Sequence, residues 1–147
     1  MRSLVKTVFI FILIALISGD VVTNKVESYN DDNFINDYQT IKEFEIRWSD
    51  IFEQEENTYY IYLFSPFCGH CLEIKNEMIY YSVLGQIKMY NIIASDEIAF
   101  GTAIENTIGA SRIEDVYIIG YPSLLLIKDR VLCINVAGSQ RILEIIV

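Results

Sequence analysis

The chain has 147 residues, 52% of them apolar and 21% charged, with a net charge of −9. One ordinary domain with a full core fits that length and composition. The acidic surplus repels phosphate backbones, so nucleic acid is excluded as an expected partner; the surplus reads as solubility.

The first residues stand apart from the fold. Arg2 and Lys6 form a basic start, Val8 to Ile17 form an unbroken apolar run, and Ser18-Gly19 offers small residues for cleavage. That layout predicts a secretory signal peptide over residues 1–19, with an uncleaved membrane anchor as the alternative. A spanning helix needs about 20 apolar residues, more than this run supplies. Removing residues 1–19 lowers Lys+Arg from 11 to 9 against 20 Asp+Glu, so the net charge falls to −11. Residues 20–36, polar and rich in Asn and Asp, read as a flexible linker, leaving residues 37–147 as the domain.

Within the domain, residues 43–55 have helical spacing, with Phe44, Trp48, Ile51 and Phe52 on one side. Glu53, Glu55 and Glu56 are expected at its solvated end rather than in a metal site. Thr58 to Phe64 is apolar on both faces, the pattern of a strand buried on both sides, with Tyr59 and Tyr60 as core residues. From Cys68 the pattern turns helical, with Leu72, Ile79 and Val83 on one stripe, Ile74, Met78 and Tyr81 beside it, and Gly85 as the stop. Lys88 to Ala94 predicts a second strand, and residues 95–116 one or two helices weakened at Gly101 and Gly109. Ser123 to Lys128 and Val131 to Ala137 predict a hairpin turning at Asp129-Arg130. Gly138 ends it, and Ser139 caps a final helix running to Ile145 and Ile146. This order of elements predicts an α/β fold: a central mixed sheet covered by helices on both faces.

Chemistry concentrates at the first strand-to-helix junction, where Cys68 and Cys71 are two residues apart. Unpaired amides and partial positive charge at a helix start stabilise a thiolate, the form that attacks a disulfide. A second cysteine one turn on can close a disulfide or release a mixed one. Protonated His70 between them would lower the Cys68 pKa further. Structural zinc needs four ligands where the chain has three Cys and one His, and haem attachment needs His where Leu72 stands. No metal or cofactor is therefore expected. Cys133, between Leu132 and Ile134, reads as a buried inert thiol, with an intermolecular or regulatory disulfide as the alternative.

The segment YIYLFSPFCGHC resembles the active-site strand and motif of the thioredoxin superfamily, with the CGHC tetrad of protein disulfide isomerases; GYPSLLLIKDR resembles its cis-proline strand and hairpin. The resemblance covers about residues 40–147 and implies a thioredoxin-like fold. It implies Cys68 as the attacking thiol, Cys71 as the resolving thiol, and Pro122 as the cis-proline. Tyr121 would offer backbone groups to an extended substrate, and Phe67 would stand in the aromatic position before the motif, usually Trp. Asn76 stands where many members have a helix-kinking proline. Tyr62 stands where thioredoxins and disulfide isomerases usually bury a carboxylate, and the stretch from Cys71 to Pro122 is longer than in a minimal thioredoxin.

The expected function is an exported thiol–disulfide oxidoreductase whose partners are protein thiols and disulfides and a redox partner. His in the tetrad favours oxidation or isomerisation over reduction. The alternative is a thioredoxin-fold binding module with little or no redox turnover. The membrane is a partner only if the N-terminal segment stays uncleaved. No retention tetrapeptide follows Ile146-Val147 and no N-x-S/T sequon occurs, so residence in the endoplasmic reticulum is not expected.

Overall fold

A β-rich run with no polar face can persist only where both sides are covered, and Thr58–Phe64 (β1) occupies such a place. In the computed structural model, which describes residues 38–147, β1 is the strand on which the sheet is built, and its last six residues are buried. It pairs in parallel with Lys88–Ile93 (β2) and antiparallel with Ser123–Lys128 (β3), which pairs antiparallel with Val131–Ala137 (β4). The sheet order is β2-β1-β3-β4. The helices are Gly69–Glu73 (α1), Lys75–Leu84 (α2) and Ser139–Ile146 (α3).

The period of two along β1 divides the core. Tyr60, Tyr62 and Phe64 face Ile41, Cys71, Ile74, Met78, Ile79 and Ile142, on the side covered by α1, α2, α3 and a 3-10 helix at Tyr38–Phe44. Tyr59, Ile61 and Leu63 face Trp48, Ile51, Phe52, Ile98, Val116 and Ile118, on the opposite side. The mixed sheet covered on both faces, entered by β-α-β and closed by a hairpin and helix, is the α/β thioredoxin-like arrangement expected from the sequence. Trp48, Tyr59 and Tyr60 are core residues, as expected.

Three expectations are corrected. Residues 43–55 hold no α-helix: 3-10 helices at Tyr38–Phe44 and Trp48–Asp50 flank an extended step at Glu45, which bridges Asn91, while Ile46 N–H donates to Asn91 O at 2.9 Å. Pairing with the exposed edge of β2 outweighs continued helix and blunts that edge. The helix after Cys68 is broken at Ile74 (φ −114°, ψ 13°) without a proline. The break rotates α2 relative to α1, so Leu72 and Val83 are exposed and the buried set of α2 is Met78, Ile79 and Ser82. Residues 95–116 hold only 3-10 helices, Ile104–Thr107 and Ile113–Asp115. There Phe100 pairs with Ile118, and Gly109 N–H and Ala110 O bond Leu132 at 2.8 Å each. A Cβ at Gly101 would run into the Tyr117 ring, so that loop closes only around glycine.

Glu53, Glu55 and Glu56 follow a 3-10 turn rather than a helix end, with Glu56 accepting a hydrogen bond from the Tyr90 hydroxyl at 2.6 Å. Among the described residues, no helix is long and apolar enough to cross a membrane. Residues 1–36, expected to hold the export segment and linker, lie outside the described residues.

Candidate thiol site

β1 ends at Phe64, and Ser65 turns the chain: its carbonyl accepts from Cys68 N–H at 3.1 Å and its hydroxyl from Phe67 N–H at 3.3 Å. This turn sets Cys68, in extended conformation, at the N-cap of α1. Its sulfur takes the place of the usual capping oxygen and accepts from Cys71 N–H at 3.2 Å. The Cys68 thiol also donates to Tyr121 O at 3.5 Å, joining residues 53 positions apart. Tyr121-Pro122 is a cis peptide bond, and Pro122 is buried.

The two sulfurs live in different surroundings. Cys68 is half-buried, while Cys71 is fully buried against the helical face of the sheet. Burial first, then the neighbouring Cys68 sulfur, push the Cys71 thiol up to about 12. At neutral pH Cys71 holds its proton, and Cys68 is the more accessible of the two sulfurs.

The remaining expected site residues scatter. Phe67 is 96% exposed beside Cys68. His70 is exposed and its Nδ1 lies 3.1 Å from Glu73 Oε2, one turn along α1. Hydrogen bonds from His70 and then Ser139 hold the Glu73 carboxyl below its ordinary range. Ser139 donates at 3.0 Å, tying α1 to the start of α3. Cys133 is exposed rather than buried: the ladder pairs Ile127 with Leu132 and Leu126 with Ile134, so Cys133 is the extra residue of a bulge and turns outward.

Three neighbours escaped the sequence reading. Tyr38, at the very start of the domain, stacks on Phe64 at 4.1 Å in the buried cluster that holds Cys71. Phe100, from the irregular segment, meets Tyr121 edge-on at 5.7 Å. Glu73 holds His70. None carries a local signal, because each is placed by a contact distant in sequence or by one side-chain rotamer.

No protein-family model and no curated protein matches the chain. Among solved structures, the chain is similar to thioredoxin f2 of Chlamydomonas reinhardtii at 10% identity, over 69% of this chain and 91% of that one, with a TM-score of 0.45. It is similar to a Malassezia sympodialis thioredoxin at 15% identity, over 69% and 86%, with a TM-score of 0.47. A third, spinach chloroplast thioredoxin f in its short form, has 14% identity over 80% and 86%, with a TM-score of 0.40.

Proposed function

We propose that this protein is an exported thiol–disulfide oxidoreductase acting on protein cysteines, with Cys68 attacking and Cys71 resolving. The observation that carries the reading is the inequality of the two sulfurs: Cys68 caps a helix, half-buried and next to Tyr121 O, while Cys71 lies fully buried behind it. A client disulfide is opened by the Cys68 sulfur, giving a mixed disulfide and one client thiol. Cys71 then attacks Cys68, forming the Cys68–Cys71 disulfide and releasing the second client thiol. The client gains two electrons and two protons, and the reverse sequence oxidises a client dithiol. The CGHC tetrad supports a disulfide-isomerase-like poise, and the residues 1–19 pattern supports export. Tyr121 backbone groups, Pro122 and Phe67 form the substrate-facing rim in this reading.

The test is trapping. A Cys71→Ser variant is expected to accumulate mixed disulfides with client proteins, and Cys68→Ser is expected to accumulate none. Equal trapping by both, or by neither, contradicts the assigned roles.

The same burial favours a second reading, a binding module with little turnover, because a thiol held protonated resolves slowly. Insulin reduction driven by dithiothreitol separates the two, since a binding module adds nothing to the uncatalysed rate.

A further inference from the structure

The wall behind Cys71 contains a polar feature that the exchange reaction, as described above, leaves unused. Tyr62 is fully buried in the middle of β1, and its hydroxyl has no hydrogen-bond partner among the described residues. The hydroxyl of Tyr38 is equally shut off from solvent and equally without a partner among them. Both rings stack on Phe64, Tyr38 at 4.1 Å and 22° and Tyr62 at 5.2 Å and 11°. Their hydroxyls face each other without a hydrogen bond of good geometry, and each feels the Cys71 and Cys68 sulfurs. Tyr62 and Cys71 belong to one buried cluster, and the partly buried Tyr38 packs against it.

Leaving a buried hydroxyl unpaired is costly, so two together call for a reason. Hydrogen counting supplies one. Two hydroxyls facing each other carry two hydrogens, and a bond between them uses only one. The other has no acceptor in the resting protein, where Cys71 is a neutral thiol. It gains one when Cys71 becomes a thiolate.

We propose that Tyr38 and Tyr62 form a donor pair for the Cys71 thiolate, built into the wall of the fold and filled only during the resolving step. This rests on the redox reading above. Cys71 first gives its proton to water, and a phenol hydrogen turns onto the thiolate that results. The thiolate then attacks Cys68, and its charge passes to the departing client sulfur, which takes up a proton, as the Cys68–client bond breaks and the Cys68–Cys71 bond forms. Both phenols keep their own protons throughout, since burial raises their pKa values. They stabilise charge and do not act as bases. A fixed donor that waits for charge needs no reorganisation at the moment of reaction. The other titratable or charged groups near the pair are Cys68, Tyr121, which also feels Cys71, and Lys75, whose Nζ lies 4.9 Å from the Tyr38 ring centre. The faces of α3 and β2 packed there contribute Ile142 and Met89, which carry no charge.

Dithiobis-nitrobenzoate tests this with the full chain carrying Cys133→Ser as the reference, because exposed Cys133 would add an equivalent of its own. The reference releases one coloured thiol as Cys68 is capped and a second as Cys71 resolves, and the Tyr variants are made in it. In the Tyr38→Phe/Tyr62→Phe double variant the second phase is expected to slow about tenfold at neutral pH, the worth of a hydrogen bond to a charged group. Its pH profile is expected to move to higher pH, with the first phase and the thermal midpoint unchanged or the midpoint raised. A second phase that superimposes on the Cys133→Ser reference at every pH overturns the donor pair and leaves the redox reading standing. A reference that releases only one equivalent overturns the redox reading and the donor pair with it. Should the double variant not fold, each single Phe variant is expected to slow the second phase by a smaller factor, and two unchanged singles overturn the proposal.

Discussion

The two faces of the sheet are covered in different ways. On the face carrying Cys71, three α-helices pack Ile74, Met78, Ile79 and Ile142 onto Tyr60, Tyr62 and Phe64. On the other, short 3-10 turns and an irregular stretch pack Trp48, Ile98, Val116 and Ile118 onto Tyr59, Ile61 and Leu63. Both faces are lined by buried side chains, so regular helix is not what a core requires. The helical face gains rigidity from local hydrogen bonds. The irregular face is held by individual long-range contacts, such as Gly109 N–H to Leu132 O. The thiol site draws on both: Cys68 and Cys71 come from the helical face, and Tyr121 ends the irregular segment.

The comparison breaks most sharply if the irregular face is dispensable. Ile118→Ala removes a fully buried side chain there and is expected to destabilise the protein by about 3 kcal/mol in denaturant unfolding, as a buried aliphatic truncation does in a packed core. A loss under about 1 kcal/mol would mean that this face relaxes around cavities and is looser than the helical one.

Alkaline pH acts on the helical face through Cys71 and Tyr38, which burial raises to about 12, and on the opposite face through Tyr59 and Tyr90, which burial also raises. The folded pKa values of Cys71 and Tyr38 lie above the ordinary 9.0 and 10.0, so the protonated forms are favoured in the fold. The stability this confers is complete below about pH 9 and is lost as pH rises towards about 12. Urea midpoints measured through that window should fall steeply, and less so in a Cys71→Ala variant. Parallel declines in both proteins would assign the alkaline loss elsewhere.

The smallest effect sharpens the hairpin that borders both faces. Asp129 and Arg130 have φ of 51° and 62°, the left-handed pair of a tight hairpin turn. Asp tolerates that conformation, whereas Arg does not, so Arg130→Gly is expected to raise stability by about 1 kcal/mol in thermal unfolding. No change would show that the turn carries no strain at Arg130.

The same contrast explains what the sequence disclosed. Thr58–Phe64, Ser123–Lys128, Val131–Ala137 and Ser139–Ile146 lie where period, turn residues and capping put them, because those signals are local. The placement of Cys68 and Cys71 as a close pair at a helix start was legible for the same reason: their spacing at a strand end is a local signal. The irregular face was not legible, since its shape depends on pairings such as Phe100 with Ile118 that no window of sequence contains. Cys133 misled because alternation assumes an unbroken ladder, and a bulge between paired residues turned it outward. Tyr62 was legible as an odd residue in a buried strand, but its partner Tyr38 lies 24 positions earlier, at the very start of the domain.

The central claim is that Cys68 and Cys71 form one reversible redox couple. The direct measurement is an equilibrium titration of the full chain against glutathione, with the thiol state read by alkylation and mass. The account predicts a single two-electron transition involving both residues, abolished in Cys68→Ser and in Cys71→Ser, with Cys133 not required. A pair that forms no disulfide at any glutathione ratio, or a transition that survives Cys71→Ser and vanishes with Cys133→Ser, would contradict it.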